Sequence, residues 1–126
     1  MLFRSTSYTG ASITFGTANL PLVDAANAGD ELCAPGALDP AVVAGKIVLC
    51  KRGIYARVDK SWAVALAGGA GLILYNDAET DVEADLHSLP AVHVNNVEGL
   101  AIKNYISSTT APTARLSGGR DRKSVV

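Results

Sequence analysis

The sequence predicts a single domain in which β-strands are mixed with a few short helices. The chain has 126 residues, of which 48% are apolar and 18% are charged, so it can bury one core and has no room for a second. Short β-branched runs recur between turn-forming residues, and two longer segments carry apolar residues at helical spacing. The apolar content excludes a disordered chain.

The amino-terminal third predicts strands and turns. Residues 11–15 alternate apolar and polar side chains, as a half-buried strand does. Residues 20–23 form a short apolar run that contains Pro21, and because proline cannot donate to a strand ladder we expect this strand at a sheet edge. Residues 24–40 are rich in small and turn-forming residues and predict a loop.

A one-turn helix and then a strand–helix–strand unit follow. Asp39 and Pro40 predict the cap and first position of the short helix, which ends at Gly45. Residues 46–50 and 71–76 predict buried strands that run parallel, joined by a right-handed crossover. The helix between them has an apolar face that we expect to pack on the sheet and a polar face that we expect in solvent. The apolar face comprises Val58, Trp62, Ala65 and Leu66, and the polar face Arg57, Asp59, Lys60 and Ser61.

The remaining chain repeats this order more loosely. An acidic loop over residues 77–85 precedes a strand over residues 89–94. Asn95 then begins a second amphipathic helix, and residues 111–116 form a closing strand. Residues 118–126 contain two glycines and four charged residues with little to bury, which predicts a flexible tail or linker.

Charge and hydropathy exclude two classes of partner. The 11 basic and 12 acidic side chains nearly cancel, so the broad positive field that binds nucleic acid is missing. The apolar runs are far shorter than the roughly 20 residues that span a bilayer, so we predict no membrane insertion. Residues 1–4 lack signal-peptide features, which leaves either a cytosolic protein or a piece of a longer secreted one.

No motif for catalysis or for a cofactor is found in the sequence. We interpret His93 as a half-exposed strand residue, and His87 lies at the end of the acidic loop. No serine has the context of a nucleophile elbow. The glycines at 68–71 follow a helix and precede a strand, which is the wrong order for a phosphate-binding loop, so we predict no cofactor. The turn at residues 51–53 carries two cations and is the better place for an anion.

The acidic loop places a carboxylate at every second residue. Val82 and Ser88 stand where an EF-hand needs glycine and glutamate, so an EF-hand is excluded. Three interpretations remain: a solvated edge that blocks sheet-to-sheet pairing, an irregular calcium site, and a docking surface for a basic partner. The calcium candidates are Asp77, Glu79 and Asp81.

The chain has two cysteines, Cys33 and Cys50. Their spacing does not match a redox or zinc motif. A disulfide would close a 17-residue loop and stabilise the fold by roughly 3 kcal/mol. The alternative is two buried free thiols.

Residues 45–53, Lys60, residues 67–76 and residues 89–92 together resemble the protease-associated (PA) domain, in the form inserted in subtilisin-like serine proteases. The resemblance extends over roughly residues 10–115. It implies an α+β fold, mostly a β barrel-like or sandwich core with two short flanking helices, of the swivelling β/β/α type. The domain would then span residues 10–117, after an extension at residues 1–9 and before the tail at residues 118–126.

The resemblance also implies a function. PA domains carry no catalytic residues and occur inside or beside proteases and receptors, where they are thought to bind protein segments or restrict access to an active site. In subtilisin-like relatives the cysteine that ends the first buried strand is often bonded to an upstream one, which favours a Cys33–Cys50 disulfide and a secreted parent protein. His93 and the strongly acidic loop depart from the family pattern.

We therefore expect a non-catalytic interaction domain whose partners are polypeptide segments or the catalytic domain of the parent protease. Aromatic and arginine side chains dominate binding at interfaces, and the loops at residues 51–55 and 77–87 are the expected contacts. The alternatives are a purely structural insert and a small flavodoxin-like enzyme, for which only Asp77 follows a strand suitably. The candidate contact residues are Arg52, Tyr55, Arg57, Tyr75 and His87.

Overall fold

The computed structural model describes residues 6–119 and the main chain of residues 123–125. This part of the chain is an α+β domain, as predicted. The strands are β1 (Tyr8–Gly10), β2 (Leu20–Asp24), β3 (Ile47–Lys51), β4 (Gly71–Tyr75), β5 (Ala91–Val94), β6 (Thr113–Ala114) and β7 (Lys123–Val125). The helices are α1 (Pro40–Val43), α2 (Arg57–Leu66) and α3 (Asn96–Ser107), and a 3-10 turn spans Ala25–Asn27.

The main sheet is mixed, with the strand order β5-β4-β3-β2-β6. Strands β2 to β5 are parallel to one another, and β6 is antiparallel to β2. The predicted parallel pairing of β3 with β4 is therefore confirmed, with Val48 opposite Leu72. A second sheet pairs β1 with β7 antiparallel, and a bridge between Ala11 and His93 joins it to β5.

Two hydrophobic clusters lie on opposite faces of the sheet because side chains alternate along each strand. Val48 and Cys50 of β3 point to the face covered by α1 and α2, whereas Ile47 and Leu49 point to the face covered by α3. The buried β-branched run that predicted a central strand therefore occupies the middle of the domain.

The structure corrects the prediction for the amino-terminal strands. Residues 12–15 are not a strand, because the Thr14 hydroxyl bonds the main-chain oxygen and nitrogen of Ala91 and so replaces strand pairing. The strand at 20–23 is not at an edge, since β6 pairs on its outer side. Pro21 is tolerated there because β6 is only two residues long, and the next amide, that of Leu22, bonds the Pro112 oxygen.

The buried face of α2 also differs from the prediction. The helix runs over the predicted residues, yet Val58, Trp62 and Leu66 are 41%, 50% and 55% exposed. The face that packs on the sheet consists instead of Lys60, Ser61, Ala63 and Val64, with Ala67 just beyond the helix end. Lys60 and Val64 share this face with the smaller Ser61 and Ala63, and Val64 lies so close to Gly69 that a side chain at position 69 would overlap it.

Part of the predicted tail is a strand. Residues 120–122 and 126 lie outside the described residues, but Lys123–Val125 pair with Tyr8–Gly10. The backbones of β1 and β5 lie so close together that a side chain at Gly10 would overlap the main chain of His93. Within the described residues no helix has the length and apolar character needed to cross a membrane.

Candidate functional site

A disulfide links the loop before α1 to the central strand. Cys33 and Cys50 are bonded, with their Cα atoms 5.9 Å apart, and both are fully buried. The pairing implied by the family resemblance is therefore present. It holds the loop that contains Leu32 against the end of β3, where the turn into α2 begins.

A buried lysine joins this loop to the turn that precedes α2. The Lys60 ammonium donates to the main-chain oxygens of Leu32 and Gly53, and its side chain has no exposed surface. Its Nζ lies 5.6 Å from the centre of the Tyr55 ring, which is within cation–π range. Burial lowers the pKa of Lys60 to about 8, so the ammonium is still charged at neutral pH.

The turn itself is tight and strained. The Tyr55 amide donates to the Gly53 oxygen at 2.6 Å, and the residue between them, Ile54, has φ of +59°. A β-branched residue rarely adopts this left-handed conformation, since its Cβ crowds the following carbonyl. The Ile54 side chain is nevertheless 87% exposed, so no burial within the described structure offsets the strain.

An exposed apolar stripe continues from this turn along α2. Val58, Trp62 and Leu66 stand at every fourth residue, a spacing that puts helical side chains on one face, and Ile54 lies in the turn four residues before Val58. Tyr55, 39% exposed, lies beside the first of them. We call this set the α2 stripe, and it consists of Ile54, Tyr55, Val58, Trp62 and Leu66.

A polar network anchors the acidic loop to the carboxyl ends of β4 and β5. His93 Nε2 lies 2.6 Å from Asn76 Oδ1, and His93 Nδ1 accepts from the Glu83 amide at 2.8 Å. Because Nδ1 accepts, the ring proton sits on Nε2 and donates to Asn76. Burial lowers the pKa of His93 to about 4, so the ring is neutral over most of the pH range. The predicted half-exposed position of His93 is therefore wrong, since the residue is 1% exposed.

The acidic loop also contacts the first two turns of α2. Arg57 and Asp85 form an ion pair with an Nε–Oδ2 distance of 2.5 Å. This hydrogen bond raises the pKa of Arg57 and lowers the pKa of Asp85. One turn further along, His87 Nδ1 lies 3.0 Å from the Ser61 hydroxyl. Burial lowers the pKa of His87.

The Ser61–His87 pair is not a catalytic dyad. Ser61 is fully buried, and its hydroxyl donates to the main-chain oxygen of Val58 at 2.9 Å. Its oxygen also accepts from the Ser88 amide. The hydroxyl hydrogen is thus engaged away from the imidazole, and a substrate has no path to the oxygen. The pair fixes the loop on the helix.

Four of the five predicted contact residues lie around the amino-terminal end of α2. Tyr55 belongs to the α2 stripe, Arg57 and His87 hold the acidic loop, and Arg52 donates to Asn76 Oδ1. Tyr75 is only 4% exposed and belongs to the core cluster on the α3 face, so it cannot contact a partner. Burial raises the pKa of Tyr75 to about 12.

The calcium candidates Asp77, Glu79 and Asp81 are exposed. Among residues 6–119, no three histidine, cysteine or acidic side chains are grouped closely enough to hold a metal ion.

Sequence reasoning missed most of the α2 stripe. The spacing of Val58, Trp62 and Leu66 predicts an apolar helix face, but hydropathy places that face in the core. The second face, with Ala63, Val64 and Ala67, carried the correct signal, since small residues allow a helix to approach a sheet closely. No sequence pattern predicts that Ile54 is exposed, because its exposure follows from the turn conformation.

The fold and this site define a small α+β module without an observed catalytic group in the described residues. The PA domain family matches residues 18–102, and the chain belongs to this family. Subtilisin-like protease SBT1.4 from Arabidopsis thaliana is 47% identical over 116 residues, which cover 87% of this chain and 15% of the relative. Subtilisin-like protease SBT1.7 from the same plant is 42% identical, covering 93% of this chain and 17% of the relative. The chain therefore spans less than a fifth of these relatives.

Solved structures share the fold. An aminopeptidase from Aneurinibacillus sp. strain AM-1 superposes with a TM-score of 0.62 at 18% identity, over 94% of this chain and 35% of that chain. BSAP, a zinc aminopeptidase from Bacillus subtilis, gives a TM-score of 0.56 at 18% identity, over 93% of this chain and 26% of that chain. At this identity the likeness concerns the fold alone.

Proposed function

We propose that this chain is a non-catalytic interaction domain of a larger, secreted subtilisin-like serine protease, and that it docks polypeptide segments on the α2 stripe. The observation that carries the proposal is the exposure of apolar side chains at every fourth residue from Ile54 to Leu66. The similarity to subtilisin-like proteases supports a parent protein of that class, and the buried disulfide suits an oxidising, extracellular compartment.

The composition of the stripe favours binding over chance exposure. Single exposed apolar residues are common, but a contiguous apolar surface rimmed by polar groups marks an interaction site. Tryptophan and tyrosine, both present here, contribute most to interface energies. The docked segment is either a substrate, which the domain recruits, or part of the parent's catalytic domain, whose access it gates.

The turn before α2 supports the same function. Ile54 is held in a strained conformation by the hydrogen bonds to Gly53 and by the disulfide beyond Leu32. Strain of this kind persists where the surroundings impose it, and it accumulates at binding sites. A rigid turn also lowers the entropy lost when Ile54 enters a partner's pocket.

The chain contains one tryptophan, Trp62, which reports directly on the stripe. We would titrate the protein with a short synthetic peptide built from leucine, phenylalanine and glutamine, which is apolar and uncharged. We expect a blue shift of Trp62 fluorescence and reduced quenching by acrylamide. Leu66→Ala is expected to weaken binding about fivefold to tenfold, since it removes an anchoring side chain.

The matched control is Leu100→Ala. Leu100 lies on α3 and is 57% exposed, against 55% for Leu66, so the two changes remove similar exposed surface from different helices. Equal effects of the two variants, or an unchanged Trp62 signal at millimolar peptide, would reject docking on the stripe and favour the purely structural insert.

A further inference from the structure

We infer that the acidic loop makes the α2 stripe selective for apolar segments that carry lysine or arginine. This inference rests on the proposed function, because it specifies the chemistry of the segment that the stripe docks. It selects one of the three interpretations of the loop that the sequence left open.

The loop lies beside the stripe. The Arg57–Asp85 ion pair joins it to the first turn of α2, and the contact of His87 with Ser61 joins it to the second. Arg57 and Ser61 immediately precede Val58 and Trp62 in the helix. Glu83 is close enough to Arg57 to contribute to the raised pKa of the guanidinium.

The cations near the stripe are already engaged. Arg57 is paired with Asp85, Arg52 donates to Asn76, and Lys60 is buried beneath the Tyr55 ring. Six carboxylates and four cations occur between residues 51 and 88. The exposed acidic side chains in this region are Asp59, Asp77, Glu79, Asp81 and Glu83. The carboxylates outnumber the cations, so this region carries a net negative charge that attracts a basic segment.

The structure argues against edge protection as the purpose of these carboxylates. Residues 77–88 form no strand, and the edge strand β5 is bridged by Ala11 and not by the loop. The side-chain Nδ2 of Asn76 donates to the main-chain oxygens of Thr80 and Asp81, and the main-chain amide of Glu83 donates to His93 Nδ1. Because the loop main chain makes these anchoring bonds, the side chains of Asp77, Glu79, Asp81 and Glu83 are available to a partner, whereas Asp85 is paired with Arg57.

The experiment uses three synthetic peptides with the same leucine and phenylalanine residues, separated by lysine, glutamine or glutamate. Binding is followed by Trp62 fluorescence and by amide chemical shifts at low and high salt. We expect the lysine peptide to bind about tenfold more tightly than the glutamate peptide at low salt, with the difference shrinking as salt is added. Amide shifts should involve both the stripe and residues 77–83.

Charge-removing variants test the loop directly. Changing Asp77, Glu79, Asp81 and Glu83 together to their amides should abolish the preference for lysine and leave binding of the glutamine peptide unchanged. The fold should survive, since the main-chain anchors remain. Glu83→Gln alone should reduce the preference about twofold, whereas Glu98→Gln on α3 should leave it intact.

The two proposals fail in different ways. Equal binding of all three peptides would overturn the inference and retain docking on the stripe. Absence of binding by any peptide would overturn both. Sedimentation that shows self-association with Trp62 protected would assign the stripe to a second copy of the chain and would likewise overturn the inference.

Discussion

The ammonium group of Lys60 donates to the main-chain oxygen of Gly53 at 3.0 Å, although the lysine side chain has no exposed surface. A second hydrogen bond, to the Leu32 oxygen, ties the turn before α2 to the disulfide-bonded loop. The sequence predicts Lys60 on the solvent-facing side of the helix, yet its buried side chain holds the turn that carries Ile54 and Tyr55 of the α2 stripe. Its charge is retained inside the fold because two carbonyl oxygens and an aromatic ring replace water.

Replacing this lysine is expected to destabilise the fold. Lys60→Met keeps the length of the side chain but leaves the oxygens of Leu32 and Gly53 without their donor. We expect a loss of about 1–3 kcal/mol in the free energy of unfolding, measured with urea. Lys46→Met changes a partly exposed lysine, and its free energy of unfolding should stay within about 0.5 kcal/mol of that of the unmodified chain. A Lys60→Met variant as stable as the unmodified chain would show that the two Lys60 hydrogen bonds contribute nothing to stability.

Relieving the strained turn is expected to separate stability from binding. Ile54→Asn places a residue that tolerates a positive φ at this position. The free energy of unfolding should rise by about 1 kcal/mol, while peptide binding should weaken because the exposed anchor is lost.

The control for this prediction is Ile13→Asn. Ile13 is 43% exposed and lies outside the stripe, and its φ is not positive, so the change should leave both stability and binding nearly unaltered. A decrease in stability for Ile54→Asn would show that the turn is not strained.

Removing the disulfide is expected to destabilise the domain through its unfolded state. The Cys33→Ala, Cys50→Ala double variant frees a 17-residue loop. The chain-entropy relation then gives a loss of about 3 kcal/mol in the free energy of unfolding. We would measure urea unfolding of the double variant against the parent chain with and without a reductant. A midpoint of unfolding shared by the variant and the oxidised parent would contradict the prediction.

Acid is expected to destabilise the domain through His93. Its pKa is about 4 in the folded chain, against 6.5 in the unfolded chain. Between these values the unfolded chain binds a proton that the folded chain does not, so stability is fully present above pH 6.5 and is lost as the pH falls towards 4. The loss attributable to this residue approaches about 3 kcal/mol.

The comparison for this prediction is His93→Gln. The variant is expected to be less stable at neutral pH, because one side chain cannot satisfy both Asn76 and the Glu83 amide with the ring's geometry. Its stability should nevertheless fall less steeply between pH 6.5 and 4. Parallel pH profiles for the two proteins would show that His93 does not cause the acid sensitivity.

The order of the elements was largely predictable from local pattern. The β-branched runs at β3 and β4, the helix at residues 57–66 and the Asp39 cap of α1 all follow from side-chain spacing and capping chemistry. The strand expected at residues 11–15 was wrong, since whether a polar–apolar alternation pairs depends on what lies opposite. The Thr14 side chain meets the main chain of Ala91, which is 77 residues away in the sequence.

The sequence by itself determined the fold class, the family and the main segments of the central sheet and its helices, because these depend on periodicity and on short-range capping. Only the tertiary structure decided which side of α2 faces water. Hydropathy favours burial of Val58, Trp62 and Leu66, but the helix packs the face with Lys60, Ser61, Ala63 and Val64 against the sheet. Lys60 occupies that face because the main-chain oxygens of Leu32, 28 residues away, and of Gly53 accept from its ammonium. Such long-range compensation has no signature in local sequence, and it left the α2 stripe in solvent.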